Sequence, residues 1–310
     1  MLPSYVNDSA MKKIIIFLTA TLIATNIFAQ SDIRLNSYWL KTSIINPAYM
    51  SKDYLAELDM LYRNQWTSFP GAPKTLFASA NYYIENLHTK IGVKAIQDQI
   101  GYTSSTDIDL IYSYATKLNY NWRIQMGLAF SYQNQTYDVT KVDSNTPSDP
   151  ALHNLLLKQS RLNADLGLEV TDNNWVFGYA GQNLASIFRE ENTRFNNTNI
   201  VYGTYRHPVS SKIDFRYGMS GIQTKRMLQG ELSFVSYFKI EPDKDAFEIG
   251  AFYRSWNEMG VLFGIDLGKN LHLNYSYDYN VGGISRSSIG SHEIMISYSL
   301  DKLYKCNCWY

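Results

Sequence analysis

The sequence contains little cysteine and no long apolar run beyond its N-terminal region. Its 310 residues include two cysteines, Cys306 and Cys308, both close to the C-terminus. A Cys-x-Cys pair supplies at most half of a structural zinc site, which needs four ligands. No run of about 18 apolar residues follows the N-terminus, so no transmembrane helix is expected in the exported chain.

Charged residues are also scarce, and their signs cancel. They make up 18% of the chain, with 28 basic and 28 acidic residues and a formal net charge of zero, against about a quarter in average globular proteins. A neutral chain argues against general nucleic-acid binding. Helical patterns with a period of 3.6 residues, which a soluble enzyme of this size normally shows, are almost absent.

The chain is instead rich in aromatic residues placed at alternate positions. It has 25 tyrosines, and the clearest alternation runs from Trp122 to Tyr132. Every second residue there is apolar, in the order Trp122, Ile124, Met126, Leu128, Phe130 and Tyr132. Alternate side chains of a strand point to opposite faces. An apolar face with aromatic ends suits a strand of roughly 9–11 residues that crosses an outer membrane.

The same alternation recurs along most of the chain and predicts an all-β protein. About 14 such segments occur, an even number, as single-chain bacterial barrels require. We therefore expect a transmembrane antiparallel barrel of about 14 strands in the outer membrane. A soluble β-sandwich or propeller is the alternative, but the apolar faces are long and unbroken. One set that we assign to the apolar face is Ile200, Tyr202 and Thr204. A lumen of this size is expected to be narrow, plugged or filled by the N-terminal segment.

Four regions are predicted along the chain. Residues 1–29 have the basic, apolar and small-residue order of a signal peptide, with Met11 as an alternative start and a membrane anchor as the alternative interpretation. Residues 30–53 are a plug in the lumen or a periplasmic lead-in. Residues 54–300 form the barrel, and residues 301–310 a C-terminal tail. Polar stretches at Asp138–Gln159 and Leu184–Asn197 are predicted external loops.

No motif indicates catalysis or a cofactor. Ser276 and His272 are a candidate nucleophile and base in the barrel wall, although ordinary lumen-facing residues are favoured. The stretch Asp143–Asp149 has oxygen ligands at alternate positions, but it lacks the glycine and glutamate of a calcium loop. The expected lumen-facing charges are balanced, which favours internal pairing over ion selection. The acidic members are Glu57, Asp59, Asp107, Asp109, Asp165, Glu169 and Glu231, and the basic ones Arg63, Lys94, Arg123, Arg161, Arg216 and Arg254.

Four short stretches carry a family resemblance. They are Asn46-Pro47-Ala48-Tyr49, Tyr62-Arg63-Asn64-Gln65-Trp66 with Phe69, Gly71, Ala72 and Pro73 behind it, Tyr275-Ser276-Tyr277-Asp278, and Gly290-Ser291-His292-Glu293-Ile294. In this order they resemble the PorP/SprF family of type IX secretion system membrane proteins of Bacteroidetes. The resemblance spans nearly the whole predicted mature chain.

The resemblance implies a non-enzymatic outer-membrane barrel without a cofactor. Its implied partners are membrane lipid, the translocon and periplasmic ring of the type IX system, and secreted adhesin-like cargo, including that of gliding motility. A diffusion channel or hydrophobic-compound transporter is the alternative function. We expect a signature that joins the N-terminal segment to the first hairpin, formed by Asn46, Pro47, Tyr49, Arg63, Asn64, Gln65, Trp66, Gly71 and Pro73. In it, the N-terminal segment would accept hydrogen bonds from Arg63.

Overall fold

Fourteen antiparallel strands follow one another around a closed barrel, in which β1 pairs with β14. The computed structural model describes residues 34–51, 53–137, 159–188, 196–224, 227–241, 244–255, 258–281 and 288–302. The strands are β1 (Tyr54–Asn64), β2 (Lys74–Ile84), β3 (Thr89–Ile100), β4 (Thr103–Lys117), β5 (Arg123–Tyr137), β6 (Gln159–Thr171), β7 (Trp175–Gln182), β8 (Thr198–Pro208), β9 (Ile213–Thr224), β10 (Met227–Glu241), β11 (Lys244–Arg254), β12 (Glu258–Leu267), β13 (Leu271–Asn280) and β14 (Ser291–Asp301).

The barrel is apolar outside and polar inside, as the alternation predicts. In β5, Met126, Leu128 and Phe130 are exposed on the outer surface, whereas Gln125 and Gln133 are fully buried. A closed sheet pairs every strand edge, and an apolar outer band matches the hydrocarbon of a bilayer. The predicted barrel is therefore confirmed, and the soluble sandwich and propeller are excluded.

One strand presents the opposite face to the one that we assigned. In β8, Ile200, Tyr202 and Thr204 are buried inside, whereas Val201 is 58% exposed on the outer surface. Both faces of β8 carry apolar residues, so hydrophobicity alone does not set its orientation. The polar partners of the Tyr202 hydroxyl, described below, lie inside the barrel.

The two ends of the barrel differ in the length of their connections. Short turns join the strands at one end, at residues 85–88, 118–122, 172–174, 209–212, 242–243 and 268–270. The long connections 65–73, 138–158, 183–197 and 281–290 all lie at the other end. We call these the short-turn end and the long-loop end. Tyr54 pairs with Asp301, so β1 begins and β14 finishes at the short-turn end.

Residues 34–51 lie inside the barrel, and we call them the lumen segment. They contain two short 3₁₀ turns, Asn36–Trp39 and Thr42–Ile44. Apolar residues of the segment pack with inward-facing side chains of the wall. The segment contributes Leu35, Tyr38, Trp39 and Ile44, and the wall contributes Leu61, Phe77, Val235, Tyr237, Phe252, Leu262 and Met295. None of the described helical turns is long or apolar enough to cross a bilayer.

Several expectations concern residues that the structure does not describe. They are the signal peptide, the stretch 138–158 with its calcium-like sequence, residues 189–195, and the two cysteines. These expectations stay predictions.

Candidate functional site: the lumen segment and its contacts

The turn Asn46–Tyr49, here the Asn-Pro turn, is fixed by the side chain of Asn46. This side chain is fully buried, and its amide nitrogen donates to the carbonyl oxygens of Leu168 and Tyr179 and to the Tyr202 hydroxyl, at 3.1, 3.3 and 2.8 Å. Its amide oxygen accepts a hydrogen bond from the Ala48 N–H at 2.9 Å. Asparagine commonly bonds its own backbone two residues on. Here the same side chain also joins the turn to three strands.

The carbonyl groups of the Asn-Pro turn are bound by the wall. The ammonium group of Lys90 on β3 donates to the carbonyl oxygens of Pro47 and Tyr49, and the Ser113 hydroxyl on β4 donates to that of Pro47. Lys90 also lies 5.9 Å from the centre of the Tyr49 ring. A buried ammonium is costly unless its donors are satisfied, so this lysine and the turn stabilise each other.

Two glycines make room for the Asn-Pro turn. Gly127 and Gly167 face each other across β5 and β6. A Cβ atom at Gly127 would overlap the backbone of Pro47 and Ala48, and one at Gly167 would overlap the Asn46 side chain. Glycine permits close backbone approach. The wall is therefore shaped to this turn at two adjacent positions.

A second attachment, the arginine cluster, consists of Asn36, Ser37, Arg63, Asp278 and Glu293. Arg63 Nη1 lies 2.7 Å from the Asp278 carboxylate and 3.3 Å from that of Glu293. Glu293 also accepts the backbone N–H groups of Asn36 and Ser37 at 2.8 and 2.7 Å. The first N–H groups of a helical turn have no partner within it, and the carboxylate supplies one. Asn36 Nδ2 donates to Asp278 at 2.7 Å.

A third group of contacts surrounds Arg254 on β11. Its guanidinium pairs with Glu231 and Glu258 at 2.7 and 2.8 Å and donates to the Asn36 side-chain oxygen at 3.2 Å. The Tyr38 hydroxyl donates to Glu231 at 2.6 Å. Hydrogen bonds that involve an ionised group are stronger than neutral ones. The 3₁₀ turn at 36–39 is therefore held between two buried arginine networks.

Lys41 connects the middle of the lumen segment to β1. Its ammonium group lies 2.9 Å from Glu57 and 2.6 Å from Asp59. A buried ammonium group is stabilised by carboxylates this close, so Lys41 and the two acidic residues of β1 hold this part of the segment against the wall.

The remaining signature residues lie in the connection between β1 and β2 at the long-loop end. Gln65 N–H donates to the Pro73 carbonyl oxygen at 2.9 Å, and Trp66 N–H donates to the Ser291 hydroxyl at 3.3 Å. Gly71 has a φ of +74°, which favours glycine, and its carbonyl accepts the Gly101 N–H at 2.9 Å. This loop thus binds β14 and the β3–β4 turn. Asn64, at the end of β1, pairs with His292 and Lys74.

The structure places the predicted signature in three parts of the barrel. Asn46, Pro47 and Tyr49 lie against β3–β8. Arg63 meets Asp278 and Glu293, members of the two other family stretches, and the other five residues lie at the end of β1 and in its connection to β2. Arg63 therefore binds these wall carboxylates, and not the lumen segment as predicted.

Sequence reasoning missed Lys90, Ser113, Gly127 and Gly167, and it placed Arg254 only among the lumen-facing charges. For the two glycines, the available signal was their inward-facing position on neighbouring strands.

The candidate catalytic pair is not assembled. Ser276 accepts a hydrogen bond from Asn36 Nδ2 at 3.1 Å, whereas His272 contacts Asp266 and Glu248 at 2.8 and 3.0 Å. Four residues of strand span about 13 Å, beyond hydrogen-bonding reach. Within the described part of the chain, no three histidine, cysteine or acidic residues are grouped to hold a metal ion.

Some charged residues of the inner wall pair with one another, as their balance predicts. Lys94 lies 2.7 Å from Asp109, and Arg254 pairs with Glu231. Other inner-wall charges bind the lumen segment, as Lys90 and Glu293 do. Ion pairs and charged hydrogen bonds thus hold the segment against the wall.

One protein family matches most of the chain. A model of the family described as type IX secretion system membrane protein PorP/SprF matches residues 27–298. No curated protein matches the chain. Among solved structures, the Acinetobacter baumannii outer membrane protein Omp33 is 9% identical with a TM-score of 0.47 and covers 81% of this chain and 100% of its own. The CymD monoaromatic hydrocarbon channel is 11% identical with a TM-score of 0.44, over 90% and 96%. Likeness at this level carries no functional argument.

Proposed function

The chain belongs to the PorP/SprF family of type IX secretion system membrane proteins, and from that premise we propose that it is a closed, non-enzymatic docking barrel. In this proposal the barrel sits in the outer membrane and supports the secretion or surface attachment of particular cargo. It does so by holding cargo or a subunit of the machinery at its rim. Solute does not pass through it.

The occupied lumen is the observation that supports a closed barrel. Residues 34–51 contact the inner faces of strands on all sides, from Lys90 on β3 to Glu293 on β14. Trp39 and Asn46 are almost fully buried between segment and wall. A pore needs a continuous watery path with sites that bind weakly. Here apolar packing and charged hydrogen bonds fill the space instead.

The family suggests the partners. We propose that the barrel associates with the translocon and the periplasmic ring of the type IX system, and that adhesin-like proteins, including those of gliding motility, are its cargo. The connections at 138–159 and 184–197 are the proposed external surfaces. They lie at the long-loop end, where barrel proteins carry their extracellular loops.

Planar-bilayer conductance tests whether the barrel is closed. We expect no steady ionic steps from the full chain. A variant that lacks residues 36–49 serves as the positive control and should conduct, because it removes the contacts that fill the lumen. Steady steps from the intact chain would favour the alternative, a diffusion channel or a transporter of hydrophobic compounds.

Co-purification from the native outer membrane tests docking separately. We expect translocon or ring proteins to accompany the tagged barrel, and their recovery to fall when Arg63 is replaced by alanine. A monomer without partners in every preparation would contradict docking even if the barrel were closed.

A lipid-hydrolysis assay with Ser276→Ala tests the absence of catalysis. We expect the original chain and the variant to show the same background rate.

A further inference from the structure

The lumen segment runs lengthwise through the barrel. At one extreme, Arg34 donates to the Gln229 side chain, and its Nη2 lies 3.6 Å from the Met227 sulfur. These two wall residues open β10 and follow the connection 225–226, at the long-loop end. At the other extreme, Met50 N–H donates to Gln125 at 2.8 Å, close to the short turn 118–122.

The contacts between these extremes follow the same order along the barrel. Ser37 reaches Glu293, the third residue of β14 after the long connection 281–290. Asn46 lies at Leu168, near the end of β6 that leads into the short turn 172–174. Asp53 accepts a hydrogen bond from Lys302 N–H at 3.3 Å, beyond the last strand at the short-turn end. The N-terminal end of the segment is therefore at the long-loop end, and its C-terminal end is joined to β1 at the short-turn end.

Outer-membrane barrels place short turns in the periplasm and long loops outside the cell. We propose that Arg34, at the N-terminal end of the lumen segment, faces the cell exterior, so that the segment can be reached from outside at this end. The inference goes beyond docking at the rim and depends only on the direction of the segment and the orientation of the barrel. The tethered end at Asp53 faces the periplasm.

This arrangement makes the two ends of the segment unequal. The inner end is fixed by the peptide bond to β1 and by the Asn-Pro turn. The outer end is held by side-chain contacts alone: those of Arg34, those of the arginine cluster and the apolar packing of Leu35 and Tyr38. A polypeptide outside the cell that binds the N-terminal end would therefore disturb the arginine cluster before it disturbs the Asn-Pro turn.

Labelling of single cysteines in whole cells tests the direction. In a chain with Cys306→Ser and Cys308→Ser, Arg34→Cys is compared with Tyr102→Cys at the long-loop end and Lys269→Cys at the short-turn end. The probe is a maleimide that does not cross the outer membrane. We expect Arg34→Cys and Tyr102→Cys to react in intact cells, and Lys269→Cys to react only after the membrane is permeabilised.

A short epitope inserted between Ile33 and Arg34 gives a second measurement that keeps the Arg34 side chain. Antibody binding to intact cells would support the proposal. The proposal would be overturned if this position, like Lys269→Cys, reacted with the maleimide or bound the antibody only after permeabilisation. Conductance of the same variants separates the direction of the segment from the proposed function. If Arg34 faced the periplasm in a barrel that does not conduct, this inference would be overturned and the proposed closed barrel would stand.

Discussion

The ammonium nitrogen of Lys90 lies 2.9 Å from the carbonyl oxygen of Pro47, so a lysine in the wall of a membrane barrel is solvated by the backbone of the segment it encloses. It makes a second hydrogen bond to the Tyr49 carbonyl. The position of the Asn-Pro turn and the charge of Lys90 are thus interdependent.

Replacement of Lys90 by methionine keeps an unbranched side chain, one atom shorter, but removes its donors. The carbonyls of Pro47 and Tyr49 would lose their charged partner, and we expect the free energy of unfolding in detergent to fall by about 1–3 kcal/mol. Lys74→Met, at an exposed position that opens β2, is the matched control and should change stability little. Equal losses for both variants would contradict the role of Lys90.

Gly127→Ala should displace the Asn-Pro turn, because the new Cβ atom would occupy the space of Pro47 and Ala48. We expect overpacking to cost about 1–3 kcal/mol and brief conductance steps to appear in planar bilayers. Gly221→Ala is the control, because a Cβ atom there meets nothing within 4 Å. If Gly127→Ala were as stable and as closed as Gly221→Ala, the turn would not rest on this strand.

Arg63→Ala should be among the most destabilising single changes. It leaves the Asp278 and Glu293 carboxylates buried, where removal of one partner of an ion pair costs about 3–5 kcal/mol. Arg63→Lys keeps the charge and should retain part of the stability. Arg206→Ala is the comparison: its side chain is 33% exposed beside Asp214 and Asp245, and the loss should be about 1 kcal/mol or less.

Cargo secretion in cells that carry Arg63→Ala should decline with the amount of folded barrel. Unchanged barrel stability together with unchanged secretion would remove the role assigned to this residue.

The contacts of Lys41 predict that its charge stabilises the folded barrel. Its ammonium group lies 2.9 Å from Glu57 and 2.6 Å from Asp59. Lys41→Met leaves both carboxylates buried without this partner, and we expect the free energy of unfolding in detergent to fall by about 3–5 kcal/mol. Equal stability of the two chains would contradict this assignment.

The sequence predicts the barrel well because a strand in a bilayer has only two environments. In β5 each side chain faces either lipid or the interior, and the alternation of apolar with polar or small residues from Ile124 to Tyr132 follows these two environments. In β8 both faces hold apolar residues, and the preference of Tyr202 for Asn46 and Glu169 decides the orientation. Such a preference depends on a partner far away in the chain.

The contacts of the lumen segment were harder to predict for a related reason. The segment has no period, and its partners are single residues on many strands. Lys90 and Ser113 look like ordinary inward positions of β3 and β4, and only the folded barrel brings them to Pro47. The family resemblance predicts that Arg63 is a site residue but does not identify its partners. These are carboxylates on β13 and β14, at the other end of the sequence.

The pairing of β1 with β14 also sets an order of assembly. The lumen segment precedes β1, yet it is enclosed by a wall whose final seam joins the first strand to the last. While that seam is open, the segment can enter from the side; after it closes, only the two ends of the cylinder remain. Glu293, which binds the backbone of Asn36 and Ser37, lies on that last strand. The same strand, β14, therefore both completes the cylinder and holds its contents.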